Sequence, residues 1–363
     1  MQPKLAYVGW TKSGVIRDLL TALLGVSTTC SHFPKEGPKA TGPSPTILSV
    51  MATGNSSSVV VFTLSGLEGQ TKENKYLLFS FTLLYYFLIV FTNLTLTVTI
   101  LRERTLHEPM YFFLCNLCIN GLYGTAGFYP KFLSDLLSDH HVISYAGCLL
   151  QVFVIYSSLP SDYSILAVMA FDRYLAICRP LEYHSIMTSQ TVVKLVIFSW
   201  IPPFLCLTVA ILLTHRLTLC GSHIDKLYCD NWSIVKLSCF STMVNNVVGI
   251  VIMLVYFSIV FLIFLSYVKL IRTCLRSREA RRKFMQTCFP HLLTLMNVHV
   301  AMLFDVMYSR YGSFYFQQNL RNFLALEYMI IPPLFNPLIY GIQLTKIRNA
   351  VLGNIKKHNS INV

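Results

Sequence analysis

Long apolar runs separated by short charged connectors dominate the hydrophobic pattern of the chain. Six runs contain no Asp, Glu, Lys or Arg, and a seventh contains only Glu327; they cover residues 76–101, 109–130, 140–161, 195–215, 237–268, 284–304 and 322–345. About 20 apolar residues cross a bilayer as an α-helix, and lipid offers no water to backbone groups, so such runs form helices or a closed barrel. The pattern predicts an all-α membrane protein with a seven-transmembrane helix bundle.

The runs also predict how the chain is organised around this bundle. An extracellular segment is expected at residues 51–75 and a cytoplasmic tail with a short eighth helix at residues 342–363. The bundle itself should cover residues 76–341, with helices at about 76–101, 109–133, 145–178, 190–214, 238–271, 283–308 and 320–341.

The first fifty residues do not fit this pattern. The apolar stretch at 15–26 is too short for a span, and Arg17 and Asp18 interrupt it, which is atypical of a signal peptide. Residues 33–45 are rich in Pro, Gly and Lys. We predict that residues 1–50 are a disordered or spurious extension.

Composition supports a membrane protein. Hydrophobic residues make up 54% of the chain and charged residues 12%, about half the charged fraction of a soluble domain. The net charge is +13, but long uncharged stretches interrupt the basic residues, which argues against a nucleic-acid partner. Membrane topology explains the charge better, because Lys and Arg collect on the cytoplasmic side.

Charge in the connectors predicts the orientation. The connectors after the first, third and fifth spans and the tail carry most of the Lys and Arg residues, including seven within residues 269–283. The positive-inside rule therefore places the N-terminus outside. The pair Asp172 and Arg173 then lies at the inner edge of the third span, and the basic connector faces anionic lipid as well as cytoplasmic partners.

Four of the eleven cysteines fall on the predicted outer side: Cys148, Cys220, Cys229 and Cys239. That side is oxidising, so disulfides are permitted there, although four cysteines allow three pairings. Two sequons, at Asn55 and Asn231, are also outside and are predicted glycosylation sites.

Five motifs occur in order at the ends of the expected helices: LHEPMYFFLCNL (106–117), MAFDRYLAICRPLEY (169–183), SY (266–267), RRKFMQTCFPHL (281–292) and PPLFNPLIYGIQ (332–343). Together they resemble the olfactory receptor family of rhodopsin-like G-protein-coupled receptors. The stretch at 120–133 is most similar to the fish branch. The resemblance implies a plasma-membrane receptor of olfactory neurons that binds a small odorant and activates a stimulatory, olfactory-type G protein to raise cyclic AMP.

The resemblance also assigns an activation switch. An acid beside Arg173 would hold it at rest, and Arg173 would move on activation to contact the G protein and two tyrosines. The switch residues are Asp172, Arg173, Tyr174, Tyr267, Asn336, Pro337 and Tyr340. By the same resemblance, Cys148 pairs with Cys229 and Cys220 with Cys239.

Departures from the broader receptor pattern concern the middle of the bundle. Gly121 stands where these receptors usually have an Asp, and Asp162 stands where olfactory receptors usually have Glu. A buried acid in a membrane is a candidate functional site, and we leave open whether a cation, a proton or hydrogen bonds satisfy Asp162. His299 replaces the usual aromatic residue of the pocket floor, and it contacts either ligand or Asn297 or backbone.

The ligand pocket implied by the resemblance lies in the outer half, between the third, fifth, sixth and seventh helices. Helical spacing places its candidates on facing sides: Val152, Ile155, Tyr156, Leu159, Val248, Ile252, Val255, His299, Met302, Leu303, Val306, Leu326 and Met329. They are mostly apolar, as expected for small hydrophobic ligands. Ile155 stands where amine receptors have an Asp, which argues against a cationic amine.

Other classes fit less well. A retinal-binding protein needs a Lys for its Schiff base, and residues 322–345 contain none. The H-E-x-x-H motif of a metalloprotease does not occur, and the sequence has no internal repeat of the kind found in transporters. No nucleophile and base are convincingly spaced, so we expect neither an enzyme nor a cofactor. The remaining alternatives are a non-olfactory chemosensory receptor and, through Asp162, Asp305 and Glu327, an ion-conducting seven-helix protein.

Overall fold

The computed structural model describes residues 61–274, 282, 288–311 and 318–361. The predicted extension at 1–50, the sequon at Asn55 and most of the basic connector at 269–283 lie outside the described residues.

The described chain is helical over most of its length. Its α-helices are α1 (Lys72–Arg102), α2 (Pro109–Leu137), α3 (Tyr145–Cys178), α4 (Pro180–Ile186), α5 (Ser189–His215), α6 (Asn231–Lys236), α7 (Met243–Cys274), α8 (Phe289–Tyr311), α9 (Gln318–Gln343) and α10 (Thr345–Ile361). Three short strands accompany them: β1 (Val61–Leu64), β2 (Val142–Ser144) and β3 (His223–Ile224).

The seven long helices form the predicted bundle, and α4, α6 and α10 lie in the connectors and the tail. By length and composition, α1, α3, α5 and α7 are apolar enough to cross a membrane among the described helices. Large apolar side chains on the outward faces of α1, α5 and α7 are exposed, as expected of surfaces that contact lipid. The helical-bundle prediction is confirmed.

Three helix starts differ from prediction by four residues or more, and one of them is that of α8, which begins at Phe289 rather than 283. The first helix begins at Lys72 rather than 76, because Thr71 caps it: the Thr71 hydroxyl accepts a hydrogen bond from the Asn74 amide at 3.3 Å. The fifth span begins at Met243 rather than 238, because Cys239 is tied to Cys220 by a disulfide and cannot continue the helix.

The strands form a small sheet at one end of the bundle, in the order β2-β1-β3. β1 pairs antiparallel with β2 and parallel with β3. We call the end of the bundle that carries this sheet the strand end. Helix α3 starts directly after β2, and its 34 residues make it about 50 Å long. Arg173 therefore lies near the opposite end of the bundle, which we call the Arg173 end.

Helices α2 and α3 approach closely because glycines face the contact. A Cβ added at Gly124 would lie 2.5 Å from the Ser158 hydroxyl oxygen, and one at Gly127 would lie 2.8 Å from a Val154 methyl carbon. Such contacts are too short for a real side chain, so the separation of these two helices depends on glycine at both positions.

Prolines in α9 free carbonyls that side chains of neighbouring helices then satisfy. Pro333 and Pro337 have no backbone N–H to donate to the carbonyls four residues earlier, at Met329 and Pro333. The Tyr129 hydroxyl donates to the Met329 oxygen at 3.2 Å, and the Asn93 amide donates to the Pro333 oxygen at 2.8 Å. In a membrane, where water cannot reach these carbonyls, the bonds fix α9 against α1 and α2.

Candidate functional site

The Asp172 and Arg173 pair lies at the Arg173 end of α3. Arg173 Nε donates to Asp172 Oδ2 at 2.8 Å, and a second guanidinium nitrogen bonds the same oxygen. The Asp172 side chain is fully buried and that of Arg173 is 12% exposed. The acid therefore holds the guanidinium in a nearly water-free site, where a charge-assisted bond is strong. The role of this ion pair as part of an activation switch stays a prediction.

Tyr183 completes the carboxylate's partners. Its hydroxyl donates to Asp172 Oδ1 at 2.7 Å, from the short helix α4. Burial, with the Asp172 charge beside it, raises the pKa of Tyr183 above its usual range. Sequence reasoning assigned Tyr183 no role although it ends the second motif, because the contact depends on how α4 folds back onto α3.

The two predicted switch tyrosines have different partners. The Tyr340 hydroxyl and His291 Nδ1 are 3.1 Å apart and hydrogen bonded, and both side chains are buried. The Tyr267 hydroxyl is buried without a hydrogen-bond partner in the described part of the chain. Arg173 bonds neither tyrosine among the described contacts, and a bond to Tyr340 would require the Tyr340 hydroxyl to leave His291.

The remaining switch residues are Tyr174 in α3 and Asn336 and Pro337 in α9. The Lys269 ammonium of α7 lies 5.5 Å from the centre of the Tyr174 ring, in a cation–π contact. Asn336 and Pro337 lie in α9, and Asn336 is 6% exposed. Its Oδ1 has no hydrogen-bond partner among the described residues.

Asp162 lines a small cavity in the middle of the bundle, where polar and apolar side chains meet. Asn120 donates to Asp162 Oδ1 at 2.7 Å and to the Ser158 carbonyl at 2.8 Å. The cavity also touches Gly121 and Asn336, and its volume of about 10 Å³ is near the minimum for one water molecule. Within the described residues no cluster of three or more His, Cys, Asp and Glu side chains forms.

The α3 candidates for ligand contact occupy the strand-end half of the bundle. Val152 is fully buried among the apolar residues under the strands. Ile155 and Leu159 belong to the main core, and Tyr156 contacts both groups. They therefore follow one side of α3 from the strands towards the middle of the bundle.

The candidates on the other helices are not all on the side facing α3. Val248 and Ile252 are half-buried, but Val255 is 52% exposed, and its neighbour Tyr256 is buried instead. Leu326 lines a groove beside α1 and α2, and Met329 lines the cavity that contains Asp162. Met302 is buried and Leu303 half-buried, whereas the side chain of Val306 lies outside the described residues. We therefore leave Val255 out of the proposed pocket.

His299 has a partner that sequence reasoning did not consider. The Tyr163 hydroxyl is 3.4 Å from His299 Nδ1, and the Phe257 ring meets the imidazole edge-to-face at 5.8 Å. Asn297, one of the predicted alternatives, has no described hydrogen-bond partner for its amide nitrogen. Tyr163 thus orients His299 between α3, α7 and α8.

Both predicted disulfides are present, Cys148–Cys229 and Cys220–Cys239, with Cα atoms 5.5 Å and 5.1 Å apart. Gln151 reinforces the first: its Oε1 accepts from the Cys229 amide at 2.9 Å and its Nε2 donates to the Gly127 carbonyl at 3.0 Å. The connector between α5 and α7 is therefore fixed to both α2 and α3. Gln151 gave no signal in the sequence.

Asn231, the second predicted glycosylation site, begins α6 and is half-buried. Its Oδ1 accepts a hydrogen bond from the Thr214 hydroxyl at 2.8 Å. Its modification stays a prediction.

Comparison with known proteins gives consistent matches. The sequence model of a family described as olfactory receptor matches residues 81–357. Human olfactory receptor 6N1 is 35% identical over 311 residues, covering 85% of this chain and 98% of its own length. Mouse olfactory receptor 5M5 is 36% identical over 307 residues, covering 83% of this chain and 94% of its own length. The assignment to a fish branch stays a prediction.

Proposed function

The chain belongs to the olfactory receptor family of G-protein-coupled receptors, and from that premise we propose how it works. It is a multi-pass plasma-membrane protein of a family that is not enzymatic. We propose that it binds a small, mostly apolar odorant in the strand-end half of the bundle. It then activates a stimulatory, olfactory-type G protein and raises cyclic AMP.

The contacts of Arg173 carry this proposal. At rest, Asp172 accepts hydrogen bonds from Arg173 and from Tyr183, whereas the buried Tyr267 hydroxyl has no described partner. A buried polar group that lacks a partner costs free energy, so a state in which Arg173 bonds Tyr267 recovers part of the cost of leaving Asp172. Odorant binding shifts the equilibrium towards that state.

The Tyr340 and His291 bond is the second contact that must change. It joins α9 to α8 near Arg173. Breaking it frees the Tyr340 hydroxyl to bond Arg173, and α8 then loses a restraint on its Arg173-end half. Movement of α8 away from α3 opens a surface at that end for the G protein.

The orientation we propose places the strand end outside the cell. The two disulfides lie there, which suits an oxidising compartment. The exposed bases Arg179, Lys346 and Arg348 lie near the Arg173 end, on the side where positive charge is expected. An odorant therefore reaches the strand-end half from outside.

An odorant-panel screen in cells that report cyclic AMP tests the signalling proposal. We expect at least one odorant to raise cyclic AMP, and the response to disappear in cells that lack stimulatory α-subunits and return when the olfactory-type subunit is supplied. A calcium or voltage response that needs no G protein would contradict it.

Matched variants on α7 test the location of the pocket. Ile252→Ala removes a half-buried side chain, whereas Val255→Ala changes an exposed side chain one turn away. We expect Ile252→Ala to shift the effective odorant concentration by about tenfold, and Val255→Ala to leave it unchanged. Equal effects of the two variants would contradict the proposed location.

A further inference from the structure

The two halves of α1 pack differently. The half nearer the Arg173 end contains all six buried residues of this helix: Ile89, Asn93, Leu96, Thr97, Thr99 and Ile100. From Lys72 to Leu88, no residue of α1 is buried. The strand-end half of α1 therefore packs less tightly, through partly buried side chains such as Phe79, Tyr85 and Tyr86.

A groove lies between this half of α1 and the rest of the bundle. Leu78, Phe81, Thr82 and Tyr85 line it from α1, at the spacing that places four side chains on one helix face. The volume is about 240 Å³. We call it the α1 groove. The groove thus lies along the face of α1 that is directed towards α2 and α9.

Aromatic and aliphatic side chains form the opposite wall. Phe128 and Phe132 contribute from α2, and Leu326 and Ile330 from α9. Phe128 and Phe132 stack at 5.0 Å, and both are almost fully buried, at 1% and 2% exposure. This wall belongs to the well-packed core of the bundle.

The two tyrosine hydroxyls beside the groove are already bonded. The Tyr85 hydroxyl donates to the Ile330 carbonyl at 2.9 Å, and the Tyr129 hydroxyl donates to the Met329 carbonyl at 3.2 Å. The groove therefore offers an occupant mainly hydrocarbon and ring surfaces. A cavity of this character holds water poorly but accepts apolar molecules.

The position of the groove places it beside the bilayer's hydrocarbon. Leu78 and Tyr85 lie about 9 Å and about 20 Å from the start of α1, at 1.5 Å per residue. Phe81 is 63% exposed and Leu78 is 39% exposed at its rim. Acyl chains are the material in contact with that rim, because α1 is a membrane span with apolar outward faces.

We propose that the α1 groove binds one acyl chain of a phospholipid from the strand-end leaflet. An empty groove would forfeit dispersion contacts along both walls, and water would find few unbonded polar partners there. An acyl chain supplies those contacts and leaves its headgroup at the membrane surface near Lys72 and Lys75. The lipid thus completes the packing between α1, α2 and α9.

The test uses the full chain in phosphatidylcholine vesicles that contain a phosphatidylcholine with a photoreactive diazirine on its acyl chain. After irradiation, mass spectrometry of peptides locates the adducts. We expect adducts on Phe128 and Phe132, which lipids around the protein cannot reach unless a chain enters the groove. Phe113 of the same helix, also 1% exposed, should carry none.

Two tryptophan variants provide the matched pair. Thr82→Trp fills the groove and should abolish adducts on Phe128 and Phe132 while adducts on Phe91, 67% exposed, persist. Leu84→Trp, at a position 59% exposed, should leave the adducts on both phenylalanines unchanged.

Three results would overturn the proposal. Labelling of Phe128 and Phe132 no higher than that of Phe113 would show that no chain enters, and this comparison needs only the unaltered protein. Persistent labelling in Thr82→Trp would show that lipid reaches these residues by another route. Disulfide-linked dimers of Thr82→Cys would make a second copy of the protein the occupant.

Discussion

The two ends of the bundle are held together by different kinds of bond. At the strand end, two disulfides and a three-stranded sheet fix the connector between α5 and α7. At the Arg173 end, the connections include an ion pair, two hydrogen bonds, the cation–π contact of Lys269 with Tyr174, and a surface contact between Lys346 and Glu108. The disulfides of the strand end change only by covalent chemistry, whereas the contacts of the Arg173 end can break and form again within the lifetime of a signal.

This difference agrees with the proposal that the strand end binds the odorant and the Arg173 end activates the G protein. A ligand pocket benefits from fixed geometry, because binding then costs little conformational entropy for ordering side chains and loops. An end that switches needs contacts of a few kcal/mol, since a ligand can shift an equilibrium only by its differential affinity for the two states.

Removing the long disulfide should have the largest effect. It spans 81 residues and the short one spans 19, so chain entropy gives losses of about 4.5 and about 3 kcal/mol. We expect Cys148→Ser to abolish surface expression, measured by flow cytometry, and Cys220→Ser to reduce it less. Cys206→Ser, at a free cysteine, is the control and should express normally. Normal surface expression of Cys148→Ser would contradict the covalent half of the comparison.

Releasing Arg173 at the other end should raise signalling without ligand. Asp172→Asn leaves the guanidinium buried without its charge partner, at a cost to the resting state of about 3 kcal/mol. We expect higher basal cyclic AMP at equal surface expression, and a smaller rise for Tyr183→Phe, which removes one hydrogen bond. Ser185→Ala, an exposed neighbour in α4, is the control. Unchanged basal signalling in both variants would argue that these bonds do not restrain the switch.

His141 should make the strand end sensitive to acid. Burial and the nearby Lys75 ammonium lower the pKa of His141, with Lys131 acting in the same direction and Asp135 and Glu68 opposing it. Because the unfolded chain then binds the proton more readily, stability should fall as pH drops from about 7 to about 5.

Thermal unfolding of the purified receptor at the two pH values measures this effect. His141→Gln should flatten the pH dependence, whereas His140→Gln, at the exposed neighbouring position, should retain it. The same pH dependence in all three proteins would place the sensitivity elsewhere.

The smallest effect is expected from the surface contact at the Arg173 end. Lys346 Nζ and Glu108 Oε1 are 2.7 Å apart, but their side chains are 60% and 51% exposed. A double-mutant cycle with Lys346→Gln and Glu108→Gln should give a coupling of about 0.2–1 kcal/mol in thermal unfolding, and less in high salt. A coupling above about 2 kcal/mol would show that this contact restrains α10 more than its exposure allows.

Sequence pattern predicted the bundle well because lipid permits few alternatives to long apolar helices. It predicted neither the strands, which are two to four residues long, nor the starts of α1 and α7, which depend on a cap and a disulfide. The resemblance supplied the disulfide pairing that spacing left open. Gln151, Tyr183 and His291 acquire roles through partners distant in the chain, so local pattern carried no signal for them.

Pocket candidates were the weakest predictions for a related reason. Helical spacing places residues on a common face, but it does not show which neighbour that face meets. Val255 is exposed and Leu326 faces the α1 groove, although both fit the expected stripe.

The most direct test of the account is odorant-evoked cyclic AMP in Arg173→Ala at matched surface expression. Arg179→Ala is the control, because Arg179 is also basic and close by but its side chain is 54% exposed and paired with Glu182. We expect Arg173→Ala to lose the response and Arg179→Ala to keep it. A normal response in Arg173→Ala would show that the reversible contacts at this end are not the switch.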